Sequence, residues 1–148
     1  MTPLERLLQK EGVQFEILHH ESPLRTAQEG ARYFGIDIGQ TAPILILRTD
    51  EGYSALIVSG DRGKVDFEQV SQVLGCKTVK LASAGEVKKV TGYDVGSVSL
   101  VGHSLPCVLD KRLYRYASVY GGTGEPTSTL KIDPKALETL NQVVAVIE

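Results

Sequence analysis

Two nearly continuous apolar runs, "ILIL" at residues 44–47 and "ALIV" at 55–58, flank the segment "RTDEGYS". Asp50-Glu51-Gly52 at the centre of that segment is turn chemistry, and the pair predicts a β-hairpin. Neither run alternates apolar with polar residues, so both faces of the hairpin need cover, as in the central strands of a layered sheet. Pro43 stands at the entrance of the first run, where a missing N–H does not interrupt the ladder. The hairpin therefore demands further strands beside it and helices or a second sheet across it. A chain of 148 residues, 42 % hydrophobic and 23 % charged, can supply them within one domain over residues 1–148.

Boundary signals for the flanking elements are unusually clear. Thr2 with Glu5, Thr26 with Glu29, and Ser83 with Glu86 each have the spacing of a capping box, in which side chain and backbone satisfy each other at a helix start. Pro3 suits the first turn, and Gly12, Gly35 and Gly92 mark the ends. Asp66 predicts a further helix closed by Gly75, and Asp133-Pro134 one that runs through Leu140. "VQFEIL" alternates as a strand, and "CKTVKL", "PCVLD", "ASVYGG", "STLKI" and "VVAVI" read as strands too, with "KRLYRY" as a connector. Hairpins together with helical connections predict a mixed α/β (α+β) architecture. Glycine-rich loops at 60–63, 92–102 and 121–124 are positioned to converge at one end of the sheet.

The formal net charge is −2 and the isoelectric point about 5.9, which argues against a grip on a long stretch of nucleic-acid backbone. Any such contact should be local, as to one strand end. The basic groups Arg62/Lys64, Lys88/Lys89 and Lys111/Arg112/Arg115 are expected on solvated faces. Cys76 and Cys107 are expected as buried, reduced thiols rather than a disulfide or zinc framework. The start "MTPLERLLQKEG" is too charged for a signal peptide, and no apolar run approaches the ~20 residues of a membrane span. A cytoplasmic protein is the expectation.

No residue spacing indicates metal or nucleophile chemistry. His19 and His20 are adjacent at a strand end, and neither has a partner at HxH or HExxH spacing; His103 sits in a glycine-rich loop. "GGTGEPTSTL" lacks the ending of a phosphate loop and leads into a strand, and no serine lies in a GxSxG elbow. Adjacent glycines do permit backbone N–H groups to approach a carbonyl oxygen.

The order of the motifs resembles the YbaK/ProX family of bacterial aminoacyl-tRNA editing domains, over nearly the whole chain. "HESPLRTAQEGARYFGI" is similar to the family's entry segment through His20, Thr26, Ala27 and Glu29. "SGDRGKVD" is similar to its GD…D segment at Gly60, Asp61 and Asp66. "LASAGEVKKVTGYDVGSVSLVGH" resembles its most specific block, and "VLD", ending at Asp110, and "YGGTG…STLKIDPKAL" follow in order. The resemblance implies a curved, largely antiparallel mixed sheet with flanking helices. It implies hydrolysis, without metal or cofactor, of an amino acid wrongly esterified to tRNA, as in free-standing Cys/Ala-tRNA(Pro) deacylases. The implied partners are the aminoacyl-adenosine end of tRNA and prolyl-tRNA synthetase.

The implied substrate-binding set has two parts. Backbone at Gly96, Ser97 and Val98 and in the loop of Gly121, Gly122 and Gly124 would hold the ester carbonyl. His20, Asp61 and His103 would orient the adenosine or a water, and Thr26, Gly60 and Gly102 complete the substrate-binding set. Two departures stand out. The family's lysine falls at Pro43, or at Ala42 if the register slips by one, so no catalytic residue is assigned. Ser97 and Leu100 replace a glycine and a proline of the family loop. The resemblance therefore implies a divergent editing subgroup lacking the usual lysine, or alternatively a non-catalytic binding module for aminoacyl-tRNA ends or a synthetase.

Overall fold

The computed structural model describes residues 2–148. The apolar hairpin forms as strands β2 (Ile44–Thr49) and β3 (Gly52–Ile57), antiparallel from Ile44↔Ile57 to Thr49↔Gly52. Thr49 Oγ1 donates to Gly52 O and accepts from Glu51 N, closing the turn. Both strands are interior in a five-stranded sheet. β4 (Val79–Leu81) pairs antiparallel with β2, β5 (Pro106–Asp110) parallel with β3, and β8 (Gln142–Ile147) parallel with β5, giving the order β4-β2-β3-β5-β8. Successive hairpin residues enter opposite cores: Ile46, Ala55 and Ile57 pack in one cluster, Leu47, Leu56 and Val58 in the other. Coverage of both faces, expected from the lack of alternation, is thus realised.

A second sheet is wholly antiparallel, with β1 (Phe15–His19) and β6 (Val119–Gly122) on either side of β7 (Ser128–Ile132). The two sheets meet at a parallel bridge between Thr41 and Tyr120, where Ala42 N donates to Tyr120 O at 2.8 Å. The expected mixed architecture is therefore present, divided between two sheets rather than continuous in one.

Five α-helices flank the sheets: α1 (Pro3–Lys10), α2 (Ala27–Phe34), α3 (Phe67–Leu74), α4 (Ala84–Thr91) and α5 (Pro134–Leu140). The three predicted capping boxes form at Thr2/Glu5, Thr26/Glu29 and Ser83/Glu86. Gly35, Gly75 and Gly92 adopt the left-handed conformation that ends α2, α3 and α4. The connector "KRLYRY" is a 3-10 helix over Lys111–Arg115, and the "CKTVKL" strand is confined to β4. Among the described residues no helix is long and apolar enough to cross a membrane.

Two expectations about individual residues need correction, those for Arg62 and Cys76. Arg62 is not on a solvated face: its side chain is 9 % exposed, and Nε donates to the fully buried Asp110 carboxylate at 2.8 Å. Arg112 and Arg115 are half-exposed, but both are engaged by Asp61. Of the two free cysteines only Cys107 is buried, and burial pushes its thiol up to about 12; Cys76 is partly covered.

Asp110 lies at the end of β5 and accepts from Ser59 N and Arg112 N as well as from Arg62. Asp110→Ala leaves a buried guanidinium without its counter-charge and should cost about 3–5 kcal/mol, read as a fall in the urea midpoint. Acid stability should depend on Glu86. Ser83 backbone and the Tyr53 hydroxyl hold this carboxylate down to about 2, from an ordinary 4.5. A depressed folded-state pKa contributes stability that is complete above the unfolded-state value and is lost as pH falls through the folded-state value. The difference in unfolding midpoint between the wild type and Glu86→Gln should therefore be constant above about pH 5 and shrink towards pH 2.

Candidate functional site

A cavity of about 280 Å³ opens where the two sheets meet. This is close to the lower end of small-molecule sites, roughly 300–1,000 Å³. One wall is helix α2 with its lead-in, contributing Arg25, Thr26, Gly30 and Phe34. The floor is Thr41, Ala42, Pro43 and the start of β2. A second part of the lining is backbone from the 95–98 segment and from Gly121 and Gly122 on β6, with Thr129 of β7 beside it.

The backbone wall is built by interlocking. Ser97 N donates to Asp94 O across a turn whose third residue, Gly96, has φ +86°, a conformation glycine adopts freely. The chain then runs along β6, and Leu100 N donates to Gly122 O at 3.1 Å. A Cβ on Gly122 would collide with the Val98 carbonyl, and one on Gly121 would lie 2.7 Å from Leu100 Cγ. Both glycines are thus needed for close approach rather than for backbone freedom. Leu100, where the resembled family has proline, is fully buried and fills the space above Gly121.

The cavity brings together Thr26, Gly96, Val98, Gly121 and Gly122 from the expected set, with Pro43, the position of the missing lysine, on its floor. Ser97 lies within that backbone wall without lining the space. His20 stands one layer behind. Its Nδ1 donates to Ser22 O at 2.8 Å, so in the neutral ring Nε2 accepts from Thr129 Oγ1 at 3.0 Å. Gly124 packs on the Tyr93 ring, outside the cavity.

The remaining expected residues are elsewhere, and the convergence of three glycine loops is reduced to two. Gly60 sits behind the floor, donating to Thr41 O, with no room for a Cβ beside the Thr41 side chain. Asp61 pairs with Arg115 at 2.8 Å and Arg112 at 3.5 Å and accepts from Ser59 Oγ. The Arg115 guanidinium holds its carboxyl below the usual carboxylate range. Ser59 Oγ is also 2.7 Å from Gly39 O, its single proton lying between that carbonyl and Asp61, so this network braces the floor loop from outside. Gly102 faces Leu7 of α1. His103 is buried, accepts from Leu105 N through Nδ1, and has its pKa lowered by desolvation.

Several lining residues escaped the sequence reading: Phe34, Thr41, Tyr120, Thr129, Arg25 and Glu125. Strand alternation held a signal for one of them. In "STLKI", Leu130 and Ile132 turn into the core, which places Thr129 on the opposite face, towards the cavity. Among the described residues no group of histidine, cysteine and carboxylate side chains is arranged to hold a metal.

Comparison with known proteins places this geometry. Residues 21–140 match the family described as the aminoacyl-tRNA editing domain. The chain belongs to that family. It is 30 % identical over 113 residues to a proline–tRNA ligase of Desulforamulus reducens, a match covering 75 % of this chain and 20 % of the ligase. The chain thus spans about a fifth or less of the length of the curated ligases it matches. Among solved structures, the hypothetical protein APE2540 superposes with a TM-score of 0.88 at 29 % identity, covering 97 % of this chain and 96 % of that one. A candidate trans-editing enzyme for prolyl tRNA synthetase superposes with a TM-score of 0.82 at 29 % identity, covering 100 % of this chain and 99 % of that one.

The interlock predicts a localised effect. Gly122→Ala should force the 97–100 segment off β6 and cost about 1–3 kcal/mol in thermal or denaturant unfolding. Amide chemical shifts should move around Gly96 and Val98 and stay unchanged in α3.

Proposed function

We propose that this chain is an aminoacyl-tRNA deacylase acting in trans on mischarged tRNA of the proline type. The observation that carries the reading is the cavity itself: a space of about 280 Å³ lined by backbone on one side and elsewhere by apolar, aromatic and hydroxyl-bearing side chains, with Arg25 and Glu125 as its charged members. Ser97 N and Leu100 N are already used inside the fold, and Gly96 N and Val98 N, which have no backbone hydrogen-bond partner among the described residues, would be the donors to a ligand carbonyl. An ester carbonyl held there would receive donors fixed in advance and aimed at the oxygen on which negative charge develops. The ester is already activated, so attack by a positioned water or by the neighbouring ribose hydroxyl suffices without a dedicated side-chain base. Phe34, Ile44, Leu45 and Tyr120 would then enclose a small amino-acid side chain. Apolar walls distinguish one methylene by only about 1–3 kcal/mol, which is the reason a second sieve after the synthetase is useful.

A non-catalytic reading is favoured by one feature of the floor. Pro43 brings neither charge nor N–H to the cavity, and the Ala42 N–H is spent on Tyr120 O. In that reading the chain holds aminoacyl ends, or a synthetase, without hydrolysis.

A panel of alanyl-, seryl-, threonyl- and cysteinyl-tRNAs, on tRNA(Pro) and on other tRNAs, separates the two. The expected result is ester loss above the buffer rate on at least one tRNA(Pro) member. No loss on any member overturns the deacylase reading. Binding without loss, with hydrolysis appearing in Pro43→Lys, would put the binding module in its place.

A further inference from the structure

Two ionisable side chains stand out on the cavity wall: Arg25, just before α2, and Glu125, in the turn between β6 and β7. The other lining residues are apolar, glycine, hydroxyl-bearing or aromatic. Both are solvent-exposed, and neither enters an ion pair with the other or with any other described residue.

Their backbones, by contrast, are pinned. Arg25 N donates to Glu29 Oε1, as part of the capping arrangement that starts α2. Glu125 N donates to Thr123 Oγ1, which also contacts Glu125 O and shares a 2.7 Å hydrogen bond with Ser128 Oγ on the cavity wall. Each residue therefore has a fixed stem and a free charged head at the rim. The capping box itself is no anion site, because Glu29 already occupies the Arg25 and Thr26 N–H groups.

An aminoacylated nucleotide end carries complementary charges: a phosphate on one side of the ribose and an α-ammonium on the acylated side. We infer that Arg25 and Glu125 form a two-point charge clamp, with Arg25 on the terminal phosphate and Glu125 on the α-ammonium of the esterified amino acid. The inference rests on the proposed acceptor-end ligand and adds how that ligand is oriented. Guanidinium pairs with phosphate through a fixed fork of donors, and a carboxylate accepts readily from an ammonium. With the two charges on different walls, the ester is presented to the backbone wall in one direction only. Neutral esters and N-blocked aminoacyl groups lose one of the two points.

The test uses the full chain and non-hydrolysable probes: 3′-alanylamino-3′-deoxyadenosine with and without a 5′-phosphate, each with a free or an N-acetylated amine, titrated by calorimetry. The wild type should bind the free amine on the order of fivefold more tightly than the acetylated form, and the phosphorylated probe more tightly than the unphosphorylated one by a similar factor. Glu125→Gln should abolish the amine preference and keep the phosphate preference; Arg25→Ala should do the reverse, with Arg25→Lys retaining part of it. Both side chains are exposed, and unchanged far-UV circular dichroism should confirm intact folds. A wild-type preference that survives the matching substitution overturns the clamp while leaving the acceptor-end reading in place. Failure of the wild type to bind any of the four probes overturns the acceptor-end reading, and the clamp with it.

Discussion

The arrangement of the cavity depends on one buried carboxylate. Asp110 is inaccessible to solvent at the end of β5, and it accepts from Ser59 N, Arg62 Nε and Arg112 N. Burial of a carboxylate is tolerated only when its acceptor capacity is met, and here main-chain and side-chain donors meet it together. The consequence reaches beyond the charge. β3 leaves the sheet beside β5 in parallel, and its exit at Ser59 is fixed by Asp110. Ser59 Oγ then holds Gly39 O, and Asp61 holds Arg115, so the 3-10 turn Ile38–Gln40 is clamped from below. Thr41, Ala42 and Pro43 follow that turn immediately and form the cavity floor. A charge network that never touches the cavity therefore sets where its floor lies.

The opposite wall is fixed in a different currency, by close packing. Gly121 and Gly122 admit Leu100 and the Val98 carbonyl to distances no other residue would permit. Close approach brings Leu100 N onto Gly122 O, and with that bond made, the register of residues 96–98 along β6 is set. Because the wall is backbone, its donors cannot swing away as side chains do, and no reorganisation is required when a carbonyl arrives. The site thus combines a floor positioned by electrostatics outside it with a wall positioned by van der Waals contact within it.

The contrast explains what was legible in the sequence. The hairpin and the helix starts were readable because they depend on neighbours within four residues: Thr26 and Glu29 close a capping box whatever lies beyond them. Gly121 and Gly122 were recognisable as places where backbone could approach a ligand, whereas the close approach that the fold itself makes there is to Leu100 and the Val98 carbonyl. The role of Asp61 was not readable. Its partners Arg112 and Arg115 lie about fifty residues downstream, and a free and a paired aspartate look identical in sequence. Arg62 misled for the same reason, since its neighbour Lys64 suggested a solvated basic face while the tertiary fold turned it onto Asp110. Phe34, Tyr120 and Thr129 come from separate elements of α2, β6 and β7, and only the meeting of the two sheets makes them line one cavity.

Pro43 takes on a definite meaning within this frame. Its carbonyl accepts from Val58 N, continuing the β2–β3 pairing by one residue, so proline is compatible with the ladder at this position. Its ring extends the apolar floor begun by Ala42, which is almost fully buried. A floor without charge has two physical effects on any ligand held above it. In the proposed binding mode it would remove a competing cation from the neighbourhood of the ester carbonyl and lower the local polarisability, which would strengthen hydrogen bonds from the Gly96 and Val98 amides. The ionisable groups at the cavity then lie at its rim, on Arg25 and Glu125, while the interior selects by shape. In the proposed binding mode, proline in place of the family's basic residue would move the electrostatic part of recognition from the floor to the mouth, and the floor itself is held in place from behind, by Asp110 and Ser59.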